Sequence, residues 1–296
     1  MGHFALKSKV KTNGFEGWYV RFTDPAQSFN TSLIFAHTTD QNDPHAFIQV
    51  FDGVKRTNTY HRFDSNEFRF QNDVVKIGKN RLSMHDVVLD VPELTLKASF
   101  EKPVFNREKS AMGLLEKLPL ETFQEVVIMG AKFKGTFTVN GKSKDIQGQT
   151  YMEKTYGQKF PKTWFWVQAN HFNKLLYLSM SGGHVPTLKF RPFGFFVLLY
   201  TKTQSYRFAT YNFSKIDIKE KGGTYTFTVK KRALTLTVTV RDHIPTTLVG
   251  PTDGGKMILD VFESIDAHVH ITLKNKDRLI VEAESPYGGF EYMMKG

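Results

Sequence analysis

The chain has 296 residues, of which 40% are hydrophobic and 23% charged, a balance that is typical of globular proteins and excludes a disordered chain. This length allows one large domain or two of ordinary size, with a sizeable apolar core. The sequence contains no cysteine, which excludes a disulfide framework, a thiol nucleophile and a cysteine-ligated zinc site.

The positive charge is spread along the chain rather than gathered in one motif. The formal net charge is +11, and only local groups such as residues 230–232 cluster. Nucleic-acid-binding proteins concentrate basic residues on one face or in a recognisable motif, so we expect no nucleic-acid partner. Loose attraction to an anionic membrane surface fits this charge better, especially if the ligand is a lipid.

The first residues do not form the long apolar stretch of a secretory signal peptide. The longest apolar run, residues 193–200, is too short to cross a bilayer. We therefore expect a cytoplasmic protein.

Short alternating stretches rich in Phe, Tyr, Val, Ile and Thr recur along the chain and predict antiparallel strands. The clearest stretches are residues 31–35, 134–139, 225–229 and 234–240. Turn sequences that join such stretches as hairpins lie at residues 140–141, 222–223 and 253–255. Strands at this spacing without intervening helices indicate antiparallel barrels or sandwiches.

Residues 106–118 interrupt the strand pattern. Met112, Leu115 and Leu118 recur at helical spacing, and Pro119 closes the segment. We predict a short helical excursion between strands, which could act as a lid or could fill one end of a barrel.

The two halves of the sequence resemble each other. The segment around Val20 matches the segment around Val167 at an offset of 147, and Phe29 matches Phe172 at an offset of 143. An offset near half the chain length indicates duplicated β units. We predict an all-β protein of two antiparallel barrel- or sandwich-like domains, residues 1–157 and 158–296.

The densest group of aromatic and polar residues spans residues 151–170 and contains two of the three tryptophans. In a strand, Trp164, Trp166, Gln168 and Asn170 share one face. Indole rings beside amide groups are typical of a pocket wall. The residue types alone favour the alternative, a core strand whose amides bond to neighbouring backbone.

Two segments carry a resemblance to a known family. Residues 15–19 (Phe-Glu-Gly-Trp-Tyr) resemble the early signature of the tocopherol cyclase family, and residues 153–157 (Glu-Lys-Thr-Tyr-Gly) with Phe160-Pro161 and residues 164–170 resemble its central signature. The residues between them that are similar are Met112-Gly113, Pro119 and Glu121.

This resemblance implies a two-domain lipocalin-like fold, shared in outline with carotenoid hydratases and some Diels–Alderases. It also implies cyclisation of a prenylated quinol to a chromanol. The chain departs from the family pattern at two positions. Gln124 stands where the family has a histidine before the paired valines, and Tyr156 replaces the usual tryptophan.

Chroman closure requires a carboxylic acid that protonates an alkene and aromatic faces that stabilise the resulting cation. Glu16 and Glu153 are the candidate acids. Lys154 directly follows Glu153, and a nearby ammonium would keep that carboxyl ionised. Because Glu16 shares a strand face with Trp18, we rank it first.

The predicted ligand-binding residues are the aromatic and amide side chains of both signatures. They are Trp18, Tyr19, Tyr151, Tyr156, Trp164, Trp166, Gln168 and Asn170. We expect the three tryptophans to lie at or near one shared cavity.

No cofactor or metal is expected. Asp266, His268 and His270 alternate on one strand face, where a solvated surface explains them better than a metal site. Two functions stay open: an acid-assisted cyclase, hydratase or isomerase acting on a prenyl-type lipid, and a non-catalytic protein that binds a small apolar or prenylated ligand.

Overall fold

The computed structural model describes residues 2–7, 12–184 and 192–294. Within these ranges the chain is almost entirely antiparallel β-sheet, and the only helices described are short 3-10 turns. They are Pro25–Gln27, Ser65–Glu67, Gly113–Lys117, Thr210–Asn212 and Asp253–Gly255. No helix in the described part of the chain is long and apolar enough to span a membrane.

The chain divides into two compact units. The N-terminal unit comprises Met1–Ser110, Glu121–Phe160 and Thr247–Val261, and the C-terminal unit comprises Ala111–Leu120, Pro161–Thr246 and Phe262–Gly296. Two short segments therefore group with the unit opposite to their place in the sequence. As a boundary between folding domains, the division at residues 157 and 158 stays a prediction.

Among the described residues, eleven strands form the sheet of the N-terminal unit. They are β1 (Phe15–Asp24), β2 (Phe29–Thr38), β3 (His45–Asp52), β4 (Thr57–Asp64), β5 (Phe68–Gln71), β6 (Val74–Ile77), β7 (Asn80–Ser83), β8 (Asp86–Val91), β9 (Leu94–Phe105), β10 (Thr122–Val139) and β11 (Lys142–Gly157). Their order is β4-β3-β2-β1-β11-β10-β9-β8-β7-β6-β5, and the sheet curls into a nearly closed barrel.

In the described part of the chain, ten strands form the second sheet. They are β12 (Trp164–Ala169), β13 (Leu176–His184), β14 (Phe193–Thr201), β15 (Ser205–Ala209), β16 (Lys215–Lys221), β17 (Thr224–Lys231), β18 (Leu234–Arg241), β19 (Thr246–Pro251), β20 (Met257–Asn275) and β21 (Arg278–Tyr292). The main order is β15-β14-β13-β12-β21-β20-β18-β17-β16, and β19 pairs with β20.

The two sheets share a topology. In each, the first strand pairs with the second and with the last, as β1 does with β2 and β11 and as β12 does with β13 and β21. This arrangement confirms the predicted all-β fold of two lipocalin-like barrels.

Strand alternation builds one apolar core inside each sheet. Trp18, Val20 and Phe22 of β1 point into the first core, and Phe165 and Val167 of β12 point into the second. Their neighbours in sequence project to the opposite face because successive side chains of a strand alternate.

The predicted helical excursion is present but shorter and tighter than expected. It is the 3-10 helix Gly113–Lys117, and a backbone bond from Leu118 to Leu115 closes it. The spacing of Met112, Leu115 and Leu118 is three residues, which is the period of a 3-10 helix rather than an α-helix.

Candidate functional site

The two family-like signatures meet as neighbouring strands of the N-terminal barrel. In the pairing of β1 with β11, Trp18 lies opposite Lys154 and Glu16 lies opposite Tyr156, so these four side chains share the core face. Lys154 Nζ lies 2.9 Å from Glu16 Oε1, and both side chains are fully buried. The ammonium also lies 5.4 Å from the Trp18 ring centre and 5.3 Å from that of Tyr156.

This pairing corrects the expected surroundings of both glutamates. Lys154 was expected to act on Glu153, its neighbour in sequence. Alternation along β11 instead sends Lys154 to the core face, where it bonds Glu16. The argument from Lys154 against Glu153 is therefore wrong, whereas the shared face of Glu16 and Trp18, which ranked Glu16 first, is present in the structure.

Residues 2–7 close this end of the barrel, and their backbone completes the ion pair. The Lys7 amide donates to both carboxylate oxygens of Glu16, at 3.0 and 3.2 Å. Lys154 Nζ donates to the Ala5 carbonyl oxygen. Because hydrogen bonds to a carboxylate favour its charged form, the backbone of this segment stabilises Glu16 as an anion.

A second buried carboxylate, Glu125, lies on the same face. It receives a hydrogen bond from His3 Nδ1 at 2.7 Å, and Lys7 Nζ lies 3.6 Å away. The two carboxylates are thus matched by two lysines at this end of the barrel, so the cluster neutralises itself.

Burial shifts the titration of these groups. It raises the pKa of the Glu16 carboxyl and lowers the pKa of the Lys154 ammonium, while their mutual attraction opposes both shifts. With two backbone bonds to its oxygens and an ammonium in contact, Glu16 has the surroundings of a structural anion rather than of a proton donor.

His37 makes this end of the barrel sensitive to acid. Burial lowers the pKa of His37 to about 4, and its ring stacks on Phe68 at 4.1 Å between centres. In the unfolded chain the pKa of this histidine is about 6.5. Between this value and about pH 4 the unfolded chain binds a proton that the folded chain does not bind, which favours unfolding. The contribution of neutral His37 to the free energy of unfolding is therefore fully present above pH 6.5 and is lost progressively as the pH falls to about 4.

We expect this loss to approach about 3 kcal/mol. Urea unfolding of the wild type and of His37→Phe at several pH values measures it. The variant should lose less stability than the wild type across this window. Parallel curves for the two proteins would mean that His37 does not titrate as described.

The opposite face of β11 carries Tyr151 and Glu153. The Tyr151 hydroxyl donates to Glu153 Oε2 at 2.6 Å, and Gln124 Nε2 donates to the same oxygen at 2.9 Å. Tyr19 lies directly opposite Glu153 on β1. Tyr19, Tyr151 and Glu153 are all buried, although their face is not that of the apolar core.

The structure therefore divides the residues predicted for the first barrel between two faces. Tyr19, Tyr151 and Glu153 share one face, whereas Trp18 and Tyr156 share the core face with Glu16. Tyr156 stacks against Phe123 at 5.2 Å. Gln124 was not predicted as a site residue, although its position beside the family-like segments singled it out.

In the C-terminal unit, Trp164, Trp166 and Gln168 lie on the face of β12 that is opposite the core, as strand alternation predicts. All three are buried, and Asn170 is buried just beyond the strand. Trp164 Nε1 donates to Glu291 Oε2 at 2.5 Å. Sequence reasoning missed Glu291 because it lies on the last strand of the chain.

Trp18 belongs to the core of the other unit, so a cavity shared by all three tryptophans stays a prediction. His268 and His270 lie near carboxylates of β21, with His270 Nε2 at 3.0 Å from Glu282. Among the described residues, no group of three or more histidine, aspartate or glutamate side chains could hold a metal ion.

The sequence model of the family described as tocopherol cyclase-like matches residues 92–292. The chain belongs to this family. The comparison with curated proteins finds no match.

Three solved structures have a fold similar to that of this chain. CghA is 11% identical over 96% of this chain and 89% of its own, with a TM-score of 0.59. A putative AttH from Nitrosomonas europaea is 12% identical over 94% and 92%, with a TM-score of 0.56. Kievitone hydratase from Nectria haematococca is 11% identical over 97% and 90%, with a TM-score of 0.51. At these identities the likeness concerns the fold.

In this tocopherol cyclase-like chain, the structure shows what Gln124, which departs from the family pattern, contacts. The side chain that replaces the expected histidine donates its amide hydrogen to Glu153. An amide cannot exchange a proton with a carboxyl group as an imidazole does. Gln124 therefore orients Glu153 without titrating.

Proposed function

We propose that the protein binds a prenyl-type or other largely apolar small molecule and assists its cyclisation, hydration or isomerisation, with Glu153 as the proton donor. The observation that carries this proposal is the hydrogen-bonded group of buried Tyr151, buried Glu153 and half-buried Gln124, which lies on a face outside the apolar core. Tyr19, opposite Glu153, supplies an aromatic surface for an apolar substrate.

The geometry of Glu153 suits an acid. Both described hydrogen bonds reach Oε2, which can accept two bonds as the carbonyl oxygen of a protonated carboxyl group. Glu16 lacks this arrangement because Lys154 contacts its Oε1 and the Lys7 amide donates to both of its oxygens.

The chemistry balances without a cofactor. For an ortho-prenylated phenol, the carboxyl proton adds to the alkene and leaves a tertiary cation. The phenol oxygen then bonds to the cation and releases its proton, which restores the acid. If water traps the cation instead, the outcome is hydration, an activity named in the structurally similar kievitone hydratase.

A non-catalytic binding protein is the second candidate, and one observation favours it. The donors that orient Glu153 also stabilise its carboxylate form. If that form prevails, the same face binds the ligand and does not protonate it.

The basic net charge of +11 would favour loose contact with an anionic membrane surface, where prenyl lipids reside. This contact and a cytoplasmic location stay predictions.

Glu153→Gln distinguishes the two functions. We expect turnover of an ortho-prenylated phenol to fall at least about a hundredfold, because general acid catalysis contributes that much. Affinity for the phenol should change little, since the amide keeps the shape of the side chain. Turnover, affinity and melting temperature are measured together.

Glu121→Gln is the matched control, because Glu121 is a partly exposed carboxylate of the same unit that contacts Lys159 at 3.1 Å. It should leave turnover unchanged. A wild-type protein that binds the phenol without converting it would support the binding protein and reject the acid role of Glu153.

A further inference from the structure

The N-terminal barrel has a cavity at the end opposite residues 2–7. Its volume is about 410 Å³, within the range of ~300–1,000 Å³ that is typical of small-molecule sites. It lies where β2, β4 and β9 begin and where β3 and β10 end. This position is remote from Glu16, because Phe29 and Asp24 form the far end of the β1–β2 pairing.

The inner wall of this cavity is apolar. Its apolar side chains are Phe29, Val50, Leu94, Phe137 and Val139. Phe29, Val50 and Leu94 also belong to the barrel core, so the cavity is the unfilled end of that core. An apolar ligand body would bury surface there that water now contacts.

Polar groups stand at defined places on this wall. Thr31 is 4% exposed and points inward with Phe29 and Leu33, and its hydroxyl has no hydrogen-bond partner among the described residues. Asp52 and Lys55 both line the cavity and pair with each other at 3.3 Å, so their charges offset.

Glu93 gives the cavity its net charge. Its Oε1 accepts hydrogen bonds from the Thr59 hydroxyl and from His61 Nε2, the latter at 2.8 Å. Partial burial opposes ionisation, but these two bonds, with a further one from the Glu93 backbone amide, outweigh it and lower the pKa of the carboxyl group. Both side-chain hydrogen bonds described for Glu93 reach Oε1, and the carboxylate can accept more hydrogen bonds than these.

We propose that this cavity is a second ligand site, which binds a small molecule with an apolar body and one protonated amine. The body occupies the space between Phe29, Leu94 and Phe137. The ammonium bonds the carboxylate of Glu93, and the hydroxyl of Thr31 meets a polar atom of the ligand. The site is independent of Glu153 and of the chemistry proposed there.

The test uses two fluorescent probes with the same apolar body and opposite charges. Dansylcadaverine carries a protonated amine, and dansyl-aminohexanoate carries a carboxylate. We expect the wild type to bind dansylcadaverine at one site with increased emission, and to bind the carboxylate probe at least about tenfold more weakly, as befits a charge-assisted bond.

Glu93→Gln should weaken dansylcadaverine binding at least about tenfold, and Thr57→Trp, at the exposed rim of the cavity, should block it. Glu101→Gln is the matched control, because it removes a surface carboxylate of the same unit that does not line the cavity. It should leave binding unchanged.

Glu153→Gln should also leave probe binding unchanged, and Glu93→Gln should leave turnover of the prenylated phenol unchanged. The experiments therefore test the ligand site at Glu93 and the acid role of Glu153 independently of each other. Equal affinity for the two probes would overturn the proposal. Absent binding, or equal weakening by Glu93→Gln and Glu101→Gln, would overturn it as well. Melting temperatures establish that each variant is folded.

Discussion

Replacing Lys154 by methionine is expected to lower the free energy of unfolding by about 3–5 kcal/mol, because the substitution leaves the Glu16 carboxylate buried without its ammonium. The two groups are 2.9 Å apart and both are fully buried. Removing one partner of such a pair costs far more than the pair itself contributes, since the remaining charge has no water to solvate it. Chemical denaturation of the variant measures the loss.

Two further variants make this test specific. The double variant Lys154→Met with Glu16→Gln should recover part of the loss, because neither charge is then left alone. Lys159→Met removes a more exposed lysine that contacts Glu121 and Asp253, at 3.1 and 2.5 Å. It should cost no more than about 1 kcal/mol. A similar small cost for Lys154→Met would contradict the buried ion pair.

Phe4→Ala is expected to cost about 3–5 kcal/mol, as truncation of a buried aromatic side chain does in a well-packed core. Phe4 is fully buried, and its ring centre lies 5.9 Å from that of Trp18 and 6.0 Å from that of Phe70. Its carbonyl oxygen also accepts a hydrogen bond from Trp18 Nε1 at 2.9 Å. Residues 2–7 thus act as part of the barrel.

Leu6→Ala is the matched control for this prediction. Leu6 lies in the same segment but is 44% exposed, so its truncation should change the free energy of unfolding by less than about 0.5 kcal/mol. Equal effects of the two substitutions in thermal or urea unfolding would show that the segment does not pack against Trp18.

Much of the fold followed from local patterns. The strictly alternating stretch at residues 234–240 is β18 (Leu234–Arg241). The turn at Asn140 and Gly141 joins β10 to β11, and both residues have the positive φ that such a hairpin requires, 50° and 72°. These features depend on neighbours in sequence, which is why the sequence predicts them.

The sequence repeat also predicts which strand face each tryptophan occupies. The offset that aligns Val20 with Val167 places Trp18 in register with Phe165 and Tyr19 in register with Trp166. Trp18 and Phe165 are both core residues in the structure. The duplication therefore already places Trp18 on the core face of its strand and Trp164 and Trp166 on the face of β12 that is opposite the core.

The partners of the glutamates were beyond sequence reasoning. Glu16 is neutralised by Lys154 and by the backbone at Lys7, and Glu153 is oriented by Gln124. These contacts depend on the register of β1, β10 and β11 and on the path of residues 2–7. Neither has a periodic pattern that a sequence could reveal.

Incubation of the wild-type protein with an ortho-prenylated phenol in D₂O tests the acid role of Glu153 most directly. Carboxyl protons exchange with solvent, so alkene protonation by the protein should place a single deuterium on carbon in the ring-closed product, which mass spectrometry and NMR detect. Glu153→Gln should form labelled product at least about a hundredfold more slowly than the wild type, whereas Glu121→Gln should form it equally fast. Labelled product formed equally fast by Glu153→Gln, or no product from the wild type, would contradict Glu153 as the acid.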